Sequence, residues 1–209
     1  MLGVRGASLI LFPEMSLTSY LREDARHLAF HAVDPRLDRL RSLSAKYAIS
    51  IIAGAPVAIQ DKLFIGAFIL DPSGSVRIYT KHHLHSGEEQ FFESTPANNP
   101  MISLNGEKMA IGICADIENP AHPEAAAAAG CALYLAGIFY APESMDYAHS
   151  LLSHYARQYS MKILMANFSG PCWGQMAGGK SAYWDPEGNL IHSLDSEKAG
   201  LLLVEIISR

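Results

Sequence analysis

Short apolar runs, rich in β-branched residues and each closed by a turn residue, constrain this chain's fold more than any other feature. Such runs favour buried strands over helices. Residues 7–12 predict a strand closed by Pro13, residues 49–59 a second and residues 64–70 a third. Asp71-Pro72-Ser73-Gly74 then predicts a tight turn, because proline pre-sets one turn dihedral and glycine tolerates another. The return run, residues 76–79, makes a hairpin that delivers Lys81. Between the first two strands, residues 35–47 have helical spacing. Leu37, Leu40, Leu43 and Tyr47 share a predicted apolar face, opposite arginines and Asp38.

The second half repeats this logic. Residues 109–113 predict a strand ending at Cys114, and residues 123–129 an alanine-rich helix stopped by Gly130, the usual residue just past a helix end. Further strands are expected over 132–136 and 163–167, with a helix over 144–159 between them. Residues 181–184 lead into a second hairpin turn, Asp185-Pro186-Glu187-Gly188. Strands alternating with helices, together with two hairpins, imply an α/β layered fold with a mixed sheet.

Length and charge narrow the function. A chain of 209 residues fits one domain able to bury a core without disulfides or metals. A net charge of −5 argues against a nucleic-acid backbone binder, and the first apolar run is neither a signal peptide nor a membrane span. Cys114, Cys131 and Cys172 are odd in number and have no CxxC pairing, which suits a reducing compartment; a cytoplasmic address is expected. There is no glycine-rich phosphate loop, so no organic cofactor is expected. His82, His83 and His85 lie in a run that splits its side chains between faces, so no metal site is expected there.

Glu14, Lys81 and Cys114 each follow an apolar strand, where ligands bind in open α/β sheets. Their chemistry is mutually useful. A carboxylate takes a thiol's proton, an ammonium favours the thiolate, and the same ammonium stabilises charge developing on a carbonyl oxygen. The turn after Cys114 offers the Ala115 N–H as a second oxyanion donor. Taken singly, each residue has a plain alternative: a core thiol, a loop cap, a solvated lysine.

Leu11-Phe12-Pro13-Glu14, Lys81-His82-His83-Leu84 and Gly112-Ile113-Cys114-Ala115-Asp116 resemble, in order, the three signature blocks of the nitrilase superfamily of carbon–nitrogen hydrolases. Gly54-Ala55-Pro56, residues 88–92, Met165-Ala166-Asn167 and Gly179-Lys180-Ser181 resemble supporting blocks, so the similarity runs from Ala7 to Glu205. The resemblance implies a four-layer α-β-β-α sandwich, a homodimer, and a catalytic triad carried onto Glu14, Lys81 and Cys114. It also implies a second glutamate beside the triad. Glu88 fits better than Glu89, standing four before the motif's second aromatic, Phe92. The implied activity is hydrolysis of a small amide or N-carbamoyl compound through a cysteine thioester. An acyltransferase and a non-catalytic scaffold remain as alternatives.

Two departures from the family pattern stand out. Members usually open with a strand and a helix before the glutamate block, roughly 30 residues, whereas Glu14 arrives almost at once; a shortened front is expected. After the nucleophile, many members carry Phe-Pro-Glu and an arginine, where this chain has Glu118-Asn119-Pro120-Ala121-His122-Pro123. Phe139 and Tyr140, after the next strand, are candidate pocket residues, with plain packing as the alternative. Asp116 is expected to anchor the nucleophile loop by accepting backbone hydrogen bonds.

Overall fold

The longest apolar runs make the longest strands. In the computed structural model, which describes residues 6–95, 101–104, 106–172 and 174–206, β2 (Ser50–Ile59) pairs antiparallel with β3 (Lys62–Leu70) over nine consecutive residue pairs. Both strands are buried on both faces, which is why their sequences read as continuous apolar runs rather than alternating ones. β1 (Leu9–Leu11) adds parallel to β2, and β4 (Val76–Thr80) adds antiparallel to β3, completing a four-stranded mixed sheet in the order β1-β2-β3-β4. The turn between β3 and β4 closes as expected, with the Gly74 N–H donating to the Asp71 carbonyl at 2.8 Å and Gly74 at φ 90°.

The chain divides into two compact units, Met1–Asn98 and Asn99–Arg209. In the first, Ile51, Ala53, Ala55 and Val57 of β2 pack with Phe64 and Phe68 of β3 against Phe30 and Leu37. A short helix, α1 (Ala25–Leu28), precedes Phe30, and the helix α2 (Asp38–Tyr47) follows a 3₁₀ turn over Pro35–Leu37. The expected apolar face of this helix is corrected at one place: Leu43 is exposed and Ser44 is buried, its hydroxyl donating to the Leu70 carbonyl. At about 100° per residue Ser44, seven after Leu37, falls within about 20° of it, whereas Leu43 falls about 120° away, so regular helical geometry itself buries the serine.

Asp34 caps that 3₁₀ turn and binds the Arg36 guanidinium, which also donates to the Leu28 and Ala29 carbonyls and lies over the Phe30 ring. The hydrogen bond from Arg36 holds the Asp34 carboxyl at about 2, below its ordinary 3.8. A carboxyl lowered on folding stabilises fully above its unfolded value and loses that contribution as pH falls through the folded one. The stability gap between the parent and Asp34→Asn is therefore expected to be constant above about pH 5 and to close towards pH 2. Urea titrations across that range check it.

The second unit holds a six-stranded mixed sheet in the order β12-β11-β8-β7-β6-β5. Its strands are β5 (Met101–Leu104), β6 (Glu107–Ile113), β7 (Leu133–Gly137), β8 (Lys162–Ala166), β11 (Ala182–Trp184) and β12 (Leu190–Ser193). Strands β6, β7 and β8 run parallel and are joined by the helices α3 (Ala121–Ala128) and α4 (Met145–Tyr159). Gly130, at φ 78°, ends α3: its N–H donates to Ala127 and the Cys131 N–H to Ala126, a Schellman closure. A separate hairpin of β9 (Ser169–Cys172) and β10 (Gln175–Gly178) was not expected from the sequence. Among the described residues no helix is long and apolar enough to cross a membrane.

Candidate functional site

The candidate residues fall into two sets, one in each unit. In the first unit, Lys81 leaves the end of β4, where its N–H continues the ladder by donating to the Ile65 carbonyl at 2.8 Å. Its side chain is fully buried, and its ammonium donates to Glu14 Oε1 at 2.9 Å and to Glu88 Oε1 and Oε2 at 2.9 and 2.8 Å. Buried charges persist only when paired and hydrogen-bonded, and this ammonium has an acceptor for each of its three protons. Glu88 is held further by the Tyr20 hydroxyl and the His85 N–H, while Glu89 is exposed. Gly87, at φ 89°, lets the chain turn sharply into the 3₁₀ segment Glu88–Gln90.

Glu14 is positioned by a close approach of backbone to backbone. The loop Pro13–Met15 lies so near β2 that a Cβ on Gly54 would collide with the Met15 nitrogen and press on the Pro13 oxygen. The Leu17 N–H donates to the Gly54 carbonyl, and the Gly54 N–H donates to the Ser16 hydroxyl. Gly54→Ala is accordingly expected to displace Glu14 from Lys81 and to cost about 1–3 kcal/mol of stability, which a urea denaturation curve checks.

In the second unit, Cys114 begins a 3₁₀ turn, Cys114–Glu118, directly at the end of β6. Its φ of 44° puts it in the left-handed region, which a residue with a Cβ adopts only when its surroundings enforce it. Strained turns from strand into helix are where exposed nucleophiles are commonly mounted. Asp116, fully buried, holds the turn by accepting the Ile113 N–H at 2.9 Å, the anchoring role expected of it. The Ala115 N–H belongs to the first turn of this 3₁₀ segment, where backbone donors have no intrahelical acceptor.

Beneath the turn runs a buried polar array that sequence reasoning missed. His122 Nε2 lies 3.9 Å from Asp116 Oδ2, and its Nδ1 pairs with the Tyr134 hydroxyl at 2.7 Å. Burial, with Asp116 adding, pushes the Tyr134 phenol upward, so it stays neutral. Gly112 makes room for it, because a Cβ there would strike the Tyr134 hydroxyl.

Phe139 and Tyr140 follow β7, the parallel neighbour of β6. The Cys114 thiol points to the Phe139 carbonyl at 3.9 Å. The Tyr140 backbone is clamped by Asn167, whose side chain accepts its N–H at 3.0 Å and donates to its carbonyl at 3.2 Å. Asn167 in turn donates to the Gly179 carbonyl, and its backbone bonds the Ser181 hydroxyl. Two supporting sequence blocks thus brace Tyr140. The Tyr140 hydroxyl donates to Glu118, which sequence reasoning did not place here. Burial, with Cys114 and Glu118 adding, pushes that phenol well above its usual range.

A profile of the carbon–nitrogen hydrolase family matches residues 3–208. The chain belongs to that family. Two curated relatives, each described as a hydrolase in the agr operon, are 25% identical to it. The one from Staphylococcus lugdunensis aligns over 94% of this chain and 86% of its own, the one from Staphylococcus aureus over 95% and 77%. The NitN amidase of Nesterenkonia sp. AN1 superposes with a TM-score of 0.84 at 28% identity, covering 93% of this chain and 78% of the amidase. A cysteine-to-alanine mutant of that amidase in complex with butyramide superposes with a TM-score of 0.84 at 26% identity, over 93% and 76%. The fold is therefore that of the nitrilase-superfamily amidases, and the chain is grouped with hydrolases of carbon–nitrogen bonds.

Proposed function

We propose that this carbon–nitrogen hydrolase is an amidase of small aliphatic amides, with Cys114 as nucleophile, Glu14 as proton carrier and Lys81 as oxyanion partner. The observation that carries the reading is the seating of Cys114, held at φ 44° in a strained turn at the end of a parallel strand. Support comes from the amidase of Nesterenkonia sp. AN1, which has been captured with butyramide and, in another form, with acrylamide added at its active-site cysteine.

In this mechanism Glu14 accepts the Cys114 thiol proton and the sulfur bonds to the amide carbonyl carbon. The resulting oxyanion is stabilised by the Lys81 ammonium and the Ala115 N–H. The tetrahedral species collapses, the carbon–nitrogen bond breaks, and the proton from Glu14 leaves with ammonia. Water then gives a proton to Glu14 and attacks the thioester. The carbon–sulfur bond breaks, releasing the acid and returning a proton to sulfur. Dividing one hydrolysis into two acyl transfers is the gain from covalent catalysis. Glu88 does not react: with Tyr20 and the His85 N–H it keeps Lys81 charged and aimed.

The test is ammonia release from butyramide and related amides, with mass spectrometry for an acyl group on Cys114. Release accompanied by a trapped acyl adduct supports the reading. Release with no adduct at Cys114, even on rapid quenching, or no release from folded protein, overturns it.

A further inference from the structure

Four residues beyond the nucleophile, on the same 3₁₀ turn, stands an exposed carboxylate, Glu118. At about 2 Å of rise per residue the turn sets it about 8 Å along from Cys114, the span of a short substrate. Its hydrogen-bond partner among the described residues is a phenol, Tyr140. Tyr140 directly follows Phe139, whose carbonyl takes the Cys114 thiol, so thiol, phenol and carboxylate occupy one neighbourhood of the second unit. A carboxylate held beside a nucleophile by a neutral hydroxyl is the chemistry that pairs with ammonium and guanidinium groups, by charge-assisted hydrogen bonds.

We propose that Glu118, held by Tyr140, forms a subsite for a positively charged group, so that the preferred substrate is an amide whose acyl chain ends in an ammonium or guanidinium. The proposal rests on the amidase reading of Cys114 and names its substrate class. The bond from the Tyr140 hydroxyl holds the Glu118 carboxylate in place on the turn that begins at Cys114. Chain length is selected along with charge. An acyl chain ending in a carboxylate meets like charge at that point and is rejected.

Three size-matched amides test it: γ-aminobutyramide (cationic), pentanamide (neutral) and succinamate (anionic), each followed by ammonia release. A second readout needs no hydrolysis. Cys114 is labelled with aminoethyl or sulfonatoethyl methanethiosulfonate, one cationic and one anionic, and its modification rate is followed by peptide mass.

The expected result is a kcat/KM about tenfold or more higher for the cationic amide than for the neutral one, with the anionic amide slowest. Glu118→Gln brings the ratio towards one, Glu118→Arg inverts it, and Tyr140→Phe, which keeps the carboxylate but frees it, lowers the cationic preference without inverting it. Labelling rates follow the same order. If Glu118 were only a brace for Tyr140, its substitution would slow all three amides alike and leave the ratio unchanged, which overturns the subsite. Hydrolysis without charge preference removes the subsite and leaves the amidase reading standing. Charge-selective labelling that Glu118→Gln abolishes, with no amide hydrolysed, keeps the subsite and removes the amidase reading.

Discussion

Cys114→Ala is expected to abolish amide turnover while leaving stability within about 1 kcal/mol of the parent. In the proposed mechanism Cys114 carries the acyl group, and removing the nucleophile of a covalent hydrolase costs on the order of 10⁴-fold or more. Stability changes little because only one buried sulfur atom is lost, and small truncations of this kind cost about 1 kcal/mol. Cys114→Gly separates two contributions that alanine leaves mixed. Alanine keeps a Cβ at φ 44° and so keeps the strain, whereas glycine adopts that conformation freely. The glycine variant is therefore expected to be about 1 kcal/mol more stable than the alanine variant, reversing the usual penalty for glycine. Ammonia assays and urea midpoints on the three proteins decide the matter. Turnover surviving in Cys114→Ala would put the nucleophile elsewhere.

Lys81→Met is expected to be the most damaging single change, costing about 3–5 kcal/mol in stability as well as all activity. The penalty comes less from the lost ammonium than from what it leaves behind: Glu14 and Glu88, both buried, stripped of their shared cation. A double-mutant cycle shows this directly. Glu88→Gln removes one of the two stranded carboxylates, so Lys81→Met with Glu88→Gln is expected to recover about 1–3 kcal/mol relative to Lys81→Met alone, a strongly non-additive result. Denaturation curves for the four proteins give the coupling energy. Additive effects would mean that Lys81 and Glu88 do not share one cluster.

How much was legible in the sequence followed from how local each signal is. Strands β2 and β3 announce themselves through uninterrupted apolar runs, and both Asp-Pro-x-Gly turns close as their residues dictate. The β9–β10 hairpin was missed because Ser169-Gly170-Pro171-Cys172 and Gln175-Met176-Ala177-Gly178 carry neither alternation nor β-branched residues. Leu43 lies outside the buried face because six residues from Leu37 is about 120° around the helix, while the buried Ser44 sits seven residues on and shows no apolar signal. The positions of Glu14, Lys81 and Cys114 past strand ends could be read directly. The choice of Glu88 over Glu89 against Lys81 came from motif spacing, and the fold buries the first and exposes the second. Tyr20, His122 and Glu118 left no trace in local pattern. Tyr20 reaches Glu88 across 68 residues and Tyr140 reaches Glu118 across 22, and no periodicity reports contacts of that kind.

Gly112, Tyr134 and His122 have a consequence for how this chain can vary. The tyrosine hydroxyl occupies the space a Cβ would need at position 112, and that hydroxyl is the partner of His122. A side chain at 112 therefore forces out the phenol, and losing the phenol leaves a buried imidazole nitrogen without its bond. The dependence runs one way: glycine at 112 tolerates a smaller residue at 134, whereas tyrosine at 134 requires the glycine.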